Sequence, residues 1–135
     1  MTNDARIVIE SRLNSIKTEH NIAEISYRLA SEDAMFPHIV WEINGINPTD
    51  MGREDYEIDV HIWDRYENQV RAWNIADAVI DLFSWVNSPQ ETILPTFYET
   101  TAFPVDDPDK SIVHIVCRSE CQVYANTSGG TVWQQ

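Results

Sequence analysis

Cations are scarce in this chain of 135 residues: nine Lys and Arg stand against 22 Asp and Glu, a formal net charge of -13. Binding to phosphate backbones needs clustered Lys and Arg that displace counterions, so neither sequence-specific nucleic-acid binding nor docking on an anionic membrane is expected. Glycine (4) and proline (6) are too few for a collagen-like or low-complexity chain. No apolar run reaches the length a bilayer-spanning helix requires. The opening Met1-Thr2-Asn3-Asp4-Ala5-Arg6 has neither the basic nor the apolar part of a secretory leader, so the protein is expected to stay in the compartment that makes it. Its two cysteines, Cys117 and Cys121, are then expected as reduced thiols.

Catalytic signatures are missing too. The chain has no Gly-x-Ser-x-Gly elbow, no phosphate-cradling glycine loop, no His-Glu-x-x-His and no Cys-x-x-Cys. The nearest approach to a metal site is His114-x-x-Cys117-x-x-x-Cys121. In an extended strand His114 and Cys117 face opposite sides, and Cys117 and Cys121 lie about 13 Å apart, too far for one ion or a disulfide. The cysteines therefore read as small core residues, and the sequence calls for no metal and no cofactor.

What the chain does have is 43% hydrophobic residues with clear periodicity. Ile7, Val8, Leu13 and Ile16 predict a helix from Asp4 to about Lys17. Residues 18–36 fit either a short strand or a loose connection. Pro37 leads a strand, His38–Ile43, which Asn44-Gly45 is expected to close. In the next strand Tyr56, Ile58, Val60 and Ile62 point one way, while Glu57, Asp59, His61 and Trp63 point the other. Asp64, three residues before Glu67, reads as a capping-box variant for a long helix whose stripe is Ala72, Trp73, Ala76, Val79, Ile80, Phe83 and Val86. Scattered β-formers follow from Thr92 to Phe103, then an Asp106-Asp107-Pro108-Asp109 turn and a strand from Ser111 to Arg118 that is apolar on both faces. The expected fold is α+β, a mostly antiparallel sheet of about four strands against a long amphipathic helix, with an N-terminal helix. A single domain over 1–125 and a flexible tail over 126–135 are expected.

The candidate functional residues are those the apolar faces do not absorb. Glu57, Asp59 and His61 share the polar side of one strand, where an exposed face, a subunit contact or general-base chemistry would each use such a set. Five tryptophans are many for this length. Trp41 and Trp73 read as core, whereas Trp63, Trp85 and Trp133 lie off the main apolar faces and read as interface candidates, Trp being enriched where proteins pair. His20 and His38 stand alone in the sequence.

The run Phe36-Pro37-His38-Ile39-Val40-Trp41-Glu42-Ile43, then Tyr56 through Asp64, then Ala76-Asp77-Ala78-Val79, resembles the tail completion or tail terminator proteins of long-tailed bacteriophages. The resemblance covers Met35 to Val86 and extends toward Tyr124. It implies a non-enzymatic virion protein of the tail or neck, assembled in the host cytoplasm. Its implied partners are further copies of the chain in a hexameric ring, the tail tube protein and the head connector. DNA would pass through such a ring, and an acidic lumen would let it slide. Another neck protein, a small monomeric or dimeric adaptor or ligand-binding domain, and more remotely an enzyme using Asp59 and His61, are the other readings.

Overall fold

The computed structural model describes residues 2–48, 53–84 and 96–124. Helix α1 (Thr2–Asn14) buries Val8, Ile9 and Leu13, and the turn after it buries Ile16 and Ile22, while Ile7 points outward at 57% exposure. The chain then forms β1 (Glu24–Tyr27), β2 (His38–Pro48) and β3 (Arg53–Arg65), makes one turn of 3-10 helix at Tyr66–Asn68, and continues into α2 (Gln69–Ser84). Strands β4 (Thr96–Val105) and β5 (Ile112–Tyr124) complete it.

The sheet runs β1-β2-β3-β5-β4, with β1 parallel to β2 and the other neighbours antiparallel. This corrects the expected fold class on both counts. The sheet has five strands and is mixed, and α2 is a helix of 16 residues rather than a long one. The fifth strand is β1, in the stretch whose sequence fits either a short strand or a loose connection; its four residues are all half-buried and so show no alternation between core and solvent. The helix is shorter because its first turn is 3-10 and because Asp64 does not act as a helix cap. Its carboxylate, wholly buried, accepts bonds from Arg71 Nη2 (2.6 Å), Arg71 Nε (2.7 Å) and the Arg65 backbone N–H (2.8 Å). The pairing lifts the Arg71 guanidinium above its ordinary range.

Asn44-Gly45 does not close β2. The strand runs on through a bulge, where pairing steps from Ile43↔Ile58 to Gly45↔Glu57 and leaves Asn44 as the extra residue. Asn44 Nδ2 donates to Asp59 Oδ2, which anchors the bulge to the next strand.

One face of the sheet meets the helices. Ile39, Trp41 and Ile43 from β2, Tyr56, Ile58, Val60 and Ile62 from β3, and Ile115, Cys117 and Cys121 from β5 form one core with Ala72, Ile75, Ala76, Val79 and Phe83 of α2. Cys117 and Cys121 are buried four residues apart on this face. Burial pushes the Cys117 thiol up to about 12, which leaves it a poor nucleophile. Trp41 is fully buried with Tyr27 edge-on at 4.7 Å, and Trp73 packs against the core's margin. Trp85, Val86, Trp133 and the expected tail over 126–135 lie outside the described residues.

Candidate functional site: the outer sheet face

Among the described residues no helix covers the other face. The strand register arranges its side chains in rows that cross the sheet. The first row reads Glu24, His38, Trp63, His114, Val105, and the second reads Ser26, Val40, His61, Val116, Phe103. The third holds Glu42, Asp59, Arg118 and Thr101, and in the fourth Glu57 lies opposite Glu120. The face thus grades from aromatic to ionic to acidic.

The middle of the first row is a ladder of flat rings, one on each of β2, β3 and β5. Trp63 lies between His38 (centroids 5.4 Å apart, 24° between planes) and His114 (4.2 Å, 13°), and Phe36 stacks on the same His38 at 5.3 Å. Those spacings straddle the distance between neighbouring strands, so the sheet itself sets the stack. Both faces of the Trp63 indole are covered, and the half-buried residue presents its edge. His61 joins from the second row: its Nδ1 is 2.9 Å from His114 Nε2 with ring centroids 5.1 Å apart, so the two imidazoles meet nearly edge to edge. Desolvation, with the His61 charge as the second cause, lowers the His114 imidazole to about 4.

Beside the ladder, Arg28, Leu29, Phe36, His38, Trp63 and Asp107 border an open groove of about 350 Å³. Leu29 stands 81% exposed at its rim, and Arg28 has a positive φ of 71°, a conformation that costs a side-chain-bearing residue and is held here by its N–H bond to Trp41 O.

In the third row Arg118 grips Asp59 with two bonds, Nε to Oδ1 at 2.8 Å and Nη2 to Oδ2 at 3.2 Å, and reaches Glu57 at 4.0 Å. Glu42, Asp59 and His61 offer ligand atoms within 4.8 Å of one another, the arrangement a metal would use. Both Asp59 oxygens already accept bonds from Arg118, and Oδ2 accepts one from Asn44 as well, so the group stands as an ion-paired cluster. The same pairing occupies Asp59 as a base, and His61 touches another imidazole rather than a hydroxyl or thiol.

Of the candidates named from sequence, Glu57, Asp59, His61 and Trp63 share this face, with Glu57 exposed, Asp59 buried and the other two half-buried. His38 and His114, given no role on this face by the sequence, complete the ladder. Alternation alone assigns each to a side of its strand, but only the register brings them to Trp63.

No protein-family model matches the sequence, and no curated protein matches it. Among solved structures the chain is similar to one in the virion of a native gene transfer agent (GTA) particle, with a TM-score of 0.56 and 12% identity. The match covers 87% of this chain and 92% of that one. At that identity the likeness shows the fold alone.

Proposed function

We propose that this protein is a structural subunit of a virion, of the tail terminator type. Copies associate into a hexameric ring that caps the tail tube and meets the head connector, in the neck of a particle assembled in the host cytoplasm. The observation that carries the reading is a fold shared over nearly the whole of both chains with a component of a phage-like particle. The sequence resemblance to tail terminators and an outer face that no helix among the described residues covers support it. The work is done by surface complementarity, with the ladder around Trp63 as anchor and the Glu42, Glu57 and Glu120 carboxylates as rim.

Light scattering tests it. The purified chain, alone or with tube protein, is expected to reach the mass of about six 15.6 kDa subunits. Salt is expected to favour assembly by screening the -13 charge on each subunit. Trp63→Ala is expected to stay folded, melting somewhat lower for the lost stacking on His38 and His114, and to lose about 2 kcal/mol or more of association, roughly thirtyfold. A Trp63→Ala protein that assembles at wild-type concentrations removes the ladder from the interface. A wild-type chain that stays monomeric in high salt and with tube protein contradicts the ring and leaves the adaptor reading.

A further inference from the structure

We propose that the outer-face contact is acid-labile: it is held shut while the His61–His114 pair carries no more than one added proton and is opened by the second. The inference rests on the outer face being the assembly contact and adds how that contact is regulated.

The geometry is the ground for it. Two neutral imidazoles carry one N–H each, and one of these fills the 2.9 Å gap between His61 Nδ1 and His114 Nε2. One added proton leaves that bond in place, with Glu42 Oε1 facing His61 Nε2 at 3.7 Å to offset the charge. Two added protons leave N–H groups on both facing nitrogens, whichever ring donated before. Donors and like charges then meet head to head, so one ring must turn away. His114 cannot turn without leaving the Trp63 face 4.2 Å away, and His61 is itself stacked on the indole at 5.5 Å. The second proton therefore dismantles the ladder.

Charged and titratable groups surround the pair on every neighbouring element. Strand β2 presents Glu42 and His38, β3 presents Asp59, and β5 presents Arg118, which is committed to Asp59. Asp107 of the β4–β5 turn acts on His114 and favours its charge, but less than burial and His61 oppose it. Arg28 borders the groove, and Glu24 at the end of the first row is tied to Ser26 and the Ser31 backbone. Glu42 faces the His61 nitrogen turned away from the pair.

Linkage sets the direction. An unpaired, solvated histidine titrates near 6.5 and His114 in the closed ladder near 4, so the open state binds more protons between these values. Closure of the ladder within each chain is favoured above pH 6.5 and weakens by up to about thirtyfold by pH 5, the ratio those two values give, and that factor is the ceiling on the loss of association. The opposite trend follows from overall charge, because protonating carboxylates relieves repulsion among chains of net charge -13.

The experiment measures the association constant of the full chain by light scattering at pH 8 and pH 5, for wild type, His114→Gln and His61→Gln. The wild type is expected to weaken by more than threefold, with about thirtyfold as the ceiling, and to recover on return to pH 8. His114→Gln, which removes the ring that burial holds neutral, is expected to change by less than threefold between the two pH values, and His61→Gln, which leaves that burial in place and removes only the facing nitrogen, to lose less than the wild type. Wild-type assembly that holds or tightens at pH 5 overturns the proposal, as does an equal acid loss in a folded variant. Should neither variant fold, the wild-type comparison decides. Subunits that assemble without regard to pH overturn this inference alone, whereas a chain monomeric at both pH values overturns the assembly reading with it.

Discussion

Ile58→Asp is expected to leave no folded protein at 25 °C. Ile58 is wholly buried on the helix-facing side of β3, paired with Ile43 and Ser119 on either side, in the middle of the core. The variant loses an apolar side chain worth about 2–3 kcal/mol of burial and places there a carboxylate whose effective desolvation costs several kcal/mol more. A domain of this kind has about 5–15 kcal/mol in all, so the sum removes most or all of it. Far-ultraviolet circular dichroism at pH 7 checks this; a native-like spectrum with a cooperative melt within a few degrees of wild type would place Ile58 outside the core.

Arg71→Met is expected to destabilise the fold by about 3–5 kcal/mol, although its side chain is 39% exposed. The cost arises at the other partner: Asp64 is fully buried and would keep only the Arg65 backbone N–H. Adding Asp64→Leu to Arg71→Met is expected to recover a large part of the loss, because a buried pair replaced by apolar side chains is often near neutral. Urea titrations of the two variants measure it. A single variant within about 1 kcal/mol of wild type would mean that the carboxylate reaches water.

These two variants also mark where the sequence was readable. Ile58 sits in a strand whose alternation separates Tyr56, Ile58, Val60 and Ile62 from Glu57, Asp59, His61 and Trp63, and the described core holds the first group. The α2 stripe was equally plain, since Ala72, Ala76, Val79 and Phe83 recur at helical spacing. Asp64 was misread because an acidic residue before a helix has the same appearance whether it caps the helix or pairs with Arg71, one turn and more away. Asn44-Gly45 is a strong hairpin signal, yet here it makes a bulge, because Asn44 finds Asp59 across the strand rather than its own backbone. Strand β1, with four residues, is too short for its pattern to decide between the short strand and the loose connection that residues 18–36 allow.

The candidate site divides in the same way. Periodicity selects the side of β3 that carries Trp63, but the ladder depends on three strands and on the pairings His38↔Trp63 and Trp63↔His114. Pairing between residues 51 positions apart leaves no local trace in composition or spacing. The pattern of a single strand can therefore nominate a face without showing what is built on it.

Hydroxyl-radical footprinting of the assembled and the monomeric chain tests the central claim most directly. The account predicts that oxidation of Trp63, His61, His38 and Phe36 falls on assembly while Val70 on α2 and Tyr66 beside it, 71% and 56% exposed, react as before. Protection of Val70, Tyr66 and Ile7 with the ladder still reactive would contradict it and move the contact to the helical side.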